Sequence, residues 1–372
     1  MGDSAAGAGL NNRRMVWDIF CRVIDNFGDI GVCWRLAAAL GARGHTVRLW
    51  VDDASALTWM APGGALGVEV QDWASAEAPS GPAPGDVVIE AFGCELPQAF
   101  VARMARRRPA AVWINLEYLS AEPYAARSHG LRSPQNSGPG RGLNKWFFYP
   151  GFTASTGGLP GAQPPQRPAL AADQAWLAAQ GWAAAQGWAA DPGEQAITLF
   201  AYANPVLPAL LDALADRPTL LRVPPGPAQA QLRGLALPAG LRWVALPYLS
   251  QIDFDRLLAS GNLNLVRGED SFVRAQLLSD SPFLWQIYPQ ADGAHAAKLG
   301  AFLDLYLADA PPALAGPVRA LFERYNDPNP GAALVMPDWA MWRAAQSRWR
   351  ARLLAQTDLC SRLLVFVQTH AA

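Results

Sequence analysis

Charged residues are scarce in this chain: Asp, Glu, Lys and Arg supply 16% of its 372 positions, against about 25% in an average soluble domain. The 30 basic and 31 acidic residues leave a net charge of −1, so no positive excess attracts nucleic acid or an anionic membrane surface. Disorder is excluded as the main state, because hydrophobic residues make up 51% of the chain. We expect a folded protein with no nucleic-acid or membrane partner, in which each cluster of charges is informative.

Cysteine, histidine and long apolar runs are also sparse. The four cysteines and four histidines follow no disulfide or metal-ligand spacing, so we expect reduced thiols and no metal site. The first 14 residues lack the apolar segment of a signal peptide, and no run of 18 apolar residues occurs. The sequence therefore predicts a cytoplasmic protein.

Strand and helix patterns alternate in two blocks, which indicates an α/β fold. Strands are predicted at 16–24, 46–51, 87–91, 111–114, 196–200, 219–223, 241–245, 262–266 and 283–287. A Gly- and Pro-rich stretch at 150–168 separates the blocks, and a helical tail is predicted over 339–367. We expect two Rossmann-like domains facing a cleft, 15–172 and 190–344, with the tail crossing back to join the first domain over about 345–370.

The first turn between a strand and a helix carries two carboxylates, in the sequence Asp25-Asn26-Phe27-Gly28-Asp29-Ile30-Gly31. It lacks the glycine pattern of dinucleotide-binding turns, and Asp29 would repel a pyrophosphate there, which disfavours NAD. One interpretation is a general base with an acidic partner at the edge of the sheet where α/β folds bind ligands. The other is an ordinary helix cap at Asp29 and a strand end at Asp25, and spacing does not decide between them.

A second turn, Arg267-Gly268-Glu269-Asp270-Ser271, also leads from a strand into a helix. Its backbone N–H groups, Ser271 and Arg267 could hold a diphosphate without a metal, and Glu269 could accept a hydrogen bond from a sugar hydroxyl. The alternative is a helix cap beside a surface salt bridge.

Aromatic residues and one acidic pair complete the candidate groups in the second block. Four aromatic residues at strand ends or helix starts could stack on a base or sugar, with core packing as the alternative for each: Phe200, Tyr202, Phe254 and Tyr288. Asp253 and Asp255 match the D-x-D pattern of metal-dependent glycosyltransferases. Because this pattern falls at a helix start, we interpret Asp253 as a cap and predict no metal site.

Several longer motifs resemble the bacterial protein-arginine rhamnosyltransferases that modify translation elongation factor P (the EarP family). They are the segments 23–36, 114–124, 150–153, 156–158 and 267–271. The resemblance implies a GT-B fold, dTDP-β-L-rhamnose as donor, and inversion at the anomeric carbon with transfer to one arginine of elongation factor P. It implies no cofactor and no metal. The first domain would then bind the acceptor and the second the nucleotide sugar.

Residue by residue, the resemblance makes Asp29 the general base, Asp25 its essential acidic partner and Glu269 the essential glutamate of the donor side. It also implies a set of donor-contacting positions: Phe200, Tyr202, Gln251, Phe254, Arg267, Asp270, Ser271 and Tyr288. The chain departs from the family pattern in the Pro-rich stretch 159–168 and in a short duplication within 176–188. Loop contacts to the acceptor are therefore left open.

Two other functions are compatible with these residues. A GT-B enzyme with a carbohydrate or small-molecule acceptor would share the second turn. A non-catalytic protein that closes on a nucleotide sugar would also share it, but it gives no reason for the pair Asp25 and Asp29.

Overall fold

Two β-sheets, one in each half of the chain, form the framework of the computed structural model, which describes residues 13–24, 27–160, 179, 181–289, 293–329, 331 and 333–370. The first sheet contains β1 Val16–Cys21, β2 Thr46–Val51, β3 Val68–Asp72, β4 Val87–Ala91, β5 Val112–Leu116, β6 Arg132–Pro134 and β7 Asn144–Phe148. The second contains β8 Gln195–Leu199, β9 Thr219–Val223, β10 Leu241–Ala245, β11 Leu263–Arg267 and β12 Phe283–Gln286. All pairings are parallel except that of β6 with β7.

Helices connect these strands and cover the sheets. The first half contains α1 Gly28–Gly41, α2 Leu57–Met60, α3 Trp73–Glu77, α4 Gln98–Arg106 and α5 Pro123–Ser128. The second half contains α6 Leu207–Leu214, α7 Pro227–Arg233, α8 Gln251–Ala259, α9 Asp270–Leu278, α10 Ala294–Tyr306 and α11 Pro312–Tyr325. The tail forms α12 Trp339–Leu354 and α13 Leu359–His370. Among the helices described, none combines the length and apolar composition needed to span a bilayer.

The central strands are buried along nearly their whole length, as in parallel sheets with helices on both faces. Asp18, in the middle of β1, is a polar exception with no exposed surface. Its carboxylate accepts hydrogen bonds from Arg48 Nε at 2.6 Å, Trp50 Nε1 at 2.8 Å and the backbone N–H of Gly85 at 2.7 Å. These three donors and the Arg48 charge compensate a burial that would otherwise be costly.

The order of the strands places a crevice in each sheet. The first sheet runs β3-β2-β1-β4-β5-β7-β6 and the second β10-β9-β8-β11-β12. The order reverses beside β1 and beside β8, and ligands bind α/β sheets at the carboxyl ends of strands at such points. The turn from β1 into α1 and the turn from β11 into α9 lie at these two edges. The predicted pair of Rossmann-like domains is confirmed.

The predicted single helix over 339–367 is wrong, because the tail bends between α12 and α13. The carboxylate of Asp358 accepts from the N–H of Ser361 at 3.0 Å, which starts the second helix. Trp342 and Trp349 of α12 pack in the core of the second sheet, whereas Leu363 and Val367 of α13 pack in the core of the first. The tail therefore crosses back to the first domain, and within it only α13 packs on the core of the first sheet. The other domain boundaries stay predictions.

The first strand is shorter than predicted. The first strand ends at Cys21 instead of 24, because the N–H of Val23 donates to Asp52 Oδ1 at 2.9 Å and not to a neighbouring strand. All four cysteines are free thiols, as expected. Most of the Pro-rich stretch 159–168 and part of the duplicated segment 176–188 lie outside the described residues.

Candidate active site

Asp29 lies in the first turn of α1, just after the chain leaves β1. The N–H of Gly31 donates to the carbonyl of Phe27 at 3.1 Å, which closes this turn and makes Phe27 the N-cap residue. The interpretation of Asp29 as an ordinary cap is therefore wrong. Its side chain is partly buried. Asp25, the predicted acidic partner, lies outside the described residues.

A single side chain supports the Asp29 carboxylate within the part of the chain that the structure describes. The hydroxyl of Tyr118 donates to Asp29 Oδ2 at 3.1 Å. Burial raises the pKa of Asp29 to about 6; the Tyr118 hydrogen bond opposes this rise and the negative charge of Glu269 adds to it. A carboxylate with this pKa is ionised at neutral pH yet accepts a proton more readily than an exposed aspartate, which suits a general base.

Glu269 faces Asp29 from the second domain and is held by groups from both domains. Gly268 before it adopts a φ of +61°, which lets the chain turn sharply into α9. The backbone N–H of Leu119, in the loop after β5, donates to Glu269 Oε2 at 3.0 Å, and Lys298 of α10 lies 2.9 Å from Oε1. The structure thus brings the two predicted carboxylates, one from each domain, close enough for the charge of Glu269 to act on Asp29.

The guanidinium of Arg267 lies between two aromatic rings at the end of β11. It is 4.6 Å from the ring centres of both Phe200 and Tyr202, and Phe254 and Tyr288 pack against these two rings. Burial lowers the pKa of Arg267, but a guanidinium stays protonated at neutral pH. Within the described residues no acidic side chain forms an ion pair with it. The predicted aromatic set and an uncompensated positive charge therefore lie together.

The polar side chains at the start of α9 are already engaged. The Ser271 hydroxyl donates to the carbonyl of Arg267 and accepts from its N–H at 3.2 Å. The Asp270 carboxylate pairs with Arg35 of α1 at 2.6 Å, and the Gln251 amide donates to the carbonyl of Gly31 at 2.9 Å. What Asp270 and Ser271 offer to an anion is therefore the start of a helix, with its free N–H groups and positive dipole end.

The space between the two domains is a cleft with about 970 Å³ of empty volume, open to solvent. The first domain lines it with residues that include Gly28, Gly31 and Arg35, and the second lines it with Glu269 and seven of the eight predicted donor positions: Phe200, Tyr202, Gln251, Phe254, Arg267, Asp270 and Ser271. Tyr288, the eighth position, is not among the lining residues, but its ring contacts that of Tyr202, which is.

The D-x-D pair has a structural role in the described geometry. The prediction that Asp253 caps its helix is wrong: Ser250 is the cap of α8, its hydroxyl accepting from the N–H of Asp253 at 3.1 Å. Asp253 pairs with Arg256 at 2.9 Å, and Asp255 pairs with Arg35 at 2.9 Å and with a second arginine of α9 at 2.6 Å. Over the described ranges, no group of three or more His, Cys, Asp or Glu side chains has the geometry to hold a metal.

Sequence reasoning missed four residues of this site: Tyr118, Leu119, Lys298 and Arg35. Two signals could have pointed to them. Tyr118 and Arg35 stand within the motifs 114–124 and 23–36 that carry the family resemblance, and Lys298 is one of only two lysines in the chain.

Comparison with known proteins connects this site to one family. The family model described as "Elongation-Factor P (EF-P) rhamnosyltransferase EarP" matches residues 17–368. A relative from Pseudomonas aeruginosa named protein-arginine rhamnosyltransferase is 42% identical over 384 residues, covering 94% of this chain and 98% of the relative. A relative of the same name from Pseudomonas putida is 43% identical over 381 residues, covering 95% and 98%.

Solved structures agree with this relationship. A structure described as the structural basis for EarP-mediated arginine glycosylation of translation elongation factor EF-P matches with a TM-score of 0.64 at 30% identity, covering 96% of this chain and 99% of that one. The calicheamicin glycosyltransferase CalG4 matches with a TM-score of 0.53 at 14% identity, covering 97% and 100%, and shows the fold alone. The predicted GT-B glycosyltransferase fold is confirmed. By its family match and its relatives, this chain belongs to the EarP family of elongation factor P rhamnosyltransferases.

Proposed function

We propose that the protein transfers L-rhamnose from dTDP-β-L-rhamnose to an arginine side chain of elongation factor P, in the cytoplasm. The observation that carries the proposal is the approach of Asp29 and Glu269 from the two domains at one cleft: Glu269 lines it with the aromatic residues and Arg267, and Asp29 stands between the lining residues Gly28 and Gly31. The names of the relatives and the subject of the matching solved structure support the acceptor and the sugar.

The second domain would bind the donor. The rings of Phe200, Tyr202 and Phe254 offer faces on which a base or sugar can stack. Arg267 and the N-terminus of α9 offer positive charge for the diphosphate. The same groups would stabilise the charge that develops on the departing dTDP, which is the task of the divalent cation in metal-dependent enzymes. We therefore propose a reaction that needs neither a metal nor a cofactor.

The first domain would activate the acceptor. A protonated guanidinium is a poor nucleophile, so one nitrogen must lose a proton as its bond to carbon forms. In a single displacement that nitrogen attacks the anomeric carbon, the bond from this carbon to the diphosphate oxygen breaks, and dTDP leaves with the electron pair. Asp29 takes the proton, and the β-configured donor gives an α-linked product.

The two remaining carboxylates have supporting roles in this proposal. Asp25 would orient the planar guanidinium, a role that rests on the family resemblance. Glu269, with one oxygen on Lys298 and the other on the Leu119 N–H, would fix the sugar end of the donor close to Asp29.

Intact-mass measurement of elongation factor P after incubation with the enzyme and dTDP-β-L-rhamnose tests this proposal. We expect one added rhamnose per molecule and no addition with dTDP-glucose. A product formed only with carbohydrate or small-molecule acceptors would favour the first alternative function, and binding of the donor with no product on any acceptor would favour a nucleotide-sugar-binding protein.

A further inference from the structure

Two consecutive residues in the loop after β5, Tyr118 and Leu119, each contact one of the two proposed catalytic carboxylates. The Tyr118 hydroxyl donates to Asp29 Oδ2 at 3.1 Å, and the Leu119 backbone N–H donates to Glu269 Oε2 at 3.0 Å. One carboxylate belongs to each domain, so this short loop segment links them across the cleft. Leu119 acts through its backbone, which leaves Tyr118 as the side chain whose chemistry matters here.

The ring of Tyr118 is held in place by stacking. It lies 4.6 Å from the ring of Phe92, with only 19° between the two planes. Phe92 has a φ of 56°, a left-handed conformation that non-glycine residues seldom adopt, and its N–H donates to the carbonyl of Leu116 at 2.7 Å. Strained backbone of this kind clusters at functional sites. The phenol is therefore fixed on one side of the Asp29 carboxylate although 43% of Tyr118 is exposed.

We propose that Tyr118 is a positioning residue for the general base. Its hydroxyl holds Oδ2 of Asp29 and so leaves Oδ1 as the oxygen that takes the acceptor's proton. This inference rests on the proposed role of Asp29 as the base. Among the described residues, the Tyr118 hydroxyl is the one hydrogen-bond donor to this carboxylate.

The charges around Asp29 determine what loss of this hydrogen bond should do. The groups that face Asp29 are Tyr118, Glu269 of the turn before α9, Tyr202 after β8, and Cys33 one turn further along α1. Burial and neighbouring charges raise the pKa values of Tyr118 and Tyr202, and a hydrogen bond with Cys21 together with burial raises that of Cys33, so these three stay protonated and uncharged at neutral pH. Tyr118 is then a permanent donor that cannot itself accept the proton, and its hydrogen bond favours the ionised form of Asp29.

Loss of the Tyr118 hydroxyl should raise the pKa of Asp29. Without the Tyr118 hydroxyl, burial and the Glu269 charge act on Asp29 unopposed, and the pKa of Asp29 rises above about 6. The base is then protonated over a wider range, so the acidic limb of kcat/KM moves to higher pH. A shift of about one pH unit corresponds to a tenfold loss of rate on that limb and little loss above it.

The test compares the wild type with Tyr118→Phe, which keeps the stacked ring and removes only the hydroxyl. Tyr124→Phe is the matched control, since Tyr124 is an equally exposed tyrosine of α5 whose ring contacts Tyr149. The full-length enzymes are assayed for kcat/KM toward elongation factor P over about pH 5 to 8. The Asp29 carboxyl is titrated in parallel by ¹³C NMR, which reports its pKa without turnover.

We expect Tyr118→Phe to move both the acidic limb and the NMR titration of Asp29 to higher pH, while Tyr124→Phe leaves both in place. A Tyr118→Phe variant whose acidic limb of kcat/KM lies at the same pH as that of the wild type would overturn the proposal, even if its overall rate were lower. An NMR shift of the Asp29 pKa without a shift of the limb would overturn it as well. If Tyr118→Phe does not fold, a ring-fluorinated tyrosine at position 118, with a more acidic phenol and a stronger donor, must move the limb to lower pH. If the wild type itself has no acidic limb and Asp29→Asn still turns over, it is the proposed base that has failed.

Discussion

The guanidinium of Arg35 in α1 lies 2.6 Å from the carboxylate of Asp270, the first residue of α9. Arg35 also pairs with Asp255 of α8 at 2.9 Å. Arg35 stands six positions after Asp29 on the same helix, and Asp270 directly follows Glu269. The ion pair therefore joins the two short segments that carry the proposed catalytic carboxylates, and with them the proposed acceptor side and donor side of the cleft.

Replacing Arg35 by Ala should weaken the contact of α1 with α8 and with the start of α9. Loss of one partner leaves Asp270 unpaired and Asp255 with a single arginine, at sites where the side chains keep only 17% and 19% exposure. We expect a loss of about 2–3 kcal/mol in the free energy of unfolding, below the ~3–5 kcal/mol for a fully buried pair. We also expect at least a tenfold fall in turnover, because Asp29 is no longer held in register with the donor.

Urea unfolding and a turnover assay measure both effects. Arg256→Ala is the matched control, since its pair with Asp253 is largely exposed and should change stability by less than about 1 kcal/mol. Equal effects from the two variants would contradict a special role for Arg35.

Arg267→Met should weaken the binding of dTDP and leave the binding of thymidine nearly unchanged. A charge-assisted hydrogen bond contributes about 1.5–3 kcal/mol, which corresponds to a ten- to hundredfold loss of affinity. Methionine keeps apolar bulk beside the rings of Phe200 and Tyr202, so base stacking should survive. Calorimetry with the two ligands separates the contributions, and an equal loss for both would show that Arg267 serves the aromatic pocket and not the diphosphate.

Lys298→Met should reduce turnover by removing the cation 2.9 Å from Glu269 Oε1. The uncompensated charge of Glu269 then acts more strongly on Asp29 and raises the pKa of Asp29 further, which moves the acidic limb of the rate profile to higher pH. Lys298→Arg keeps the charge and should retain most of the wild-type rate. If the arginine and methionine variants were equally impaired, the charge would not be the reason for this lysine.

Asp29→Asn should stabilise the protein at neutral pH. The pKa of Asp29 rises from 3.8 to about 6 on folding, so the folded state binds the proton more tightly. The resulting loss of stability grows as the pH rises from about 4 to 6 and is fully present above pH 6. Asparagine has no such cost, and we expect a gain on the order of 1–2 kcal/mol at pH 7.5, reduced by the partial exposure of the site. The gain should vanish near pH 4, where the wild-type carboxyl is protonated in the folded state and half-protonated in the unfolded one.

Urea unfolding at the two pH values checks this expectation. Asp304→Asn, which removes an exposed ion pair between α10 and Arg319, is the control and should change stability by less than about 1 kcal/mol at either pH. An Asp29→Asn variant no more stable than the wild type at pH 7.5 would mean that folding does not raise the pKa of Asp29.

The sequence predicted nine of the twelve described strands and missed β3, β6 and β7 of the first sheet. Strands such as Val87–Ala91 are buried on both faces, and so appear as unbroken apolar runs. Both edge strands of the second sheet, β10 and β12, were also predicted. In the first sheet, the edge strand β3 reads Val-Glu-Val-Gln-Asp with mostly exposed positions, the edge strand β6 has only three residues, and β7 beside it has a single buried position. These three strands lack a fully buried apolar run, so this signal is absent there.

The site was predictable only as far as local sequence determines it. Turns between strands and helices place Asp29 and Glu269 at sheet edges, and spacing alone reveals that. The groups that tune them come from distant parts of the chain: Tyr118 is 89 positions from Asp29, and Arg35 is 235 positions from Asp270. The first contact depends on how β1 and β5 come together in one sheet, and the second on how the two domains pack, and no local pattern encodes either.

The proposed role of Asp29 as the general base is tested most directly by the intact mass of elongation factor P after incubation with dTDP-β-L-rhamnose and either the wild type or Asp29→Asn. Both enzymes are first shown to bind dTDP. We expect one added rhamnose with the wild type, and none with an Asp29→Asn variant that binds dTDP as well as the wild type does. Near wild-type modification by Asp29→Asn would contradict this role, because the base would then not be Asp29.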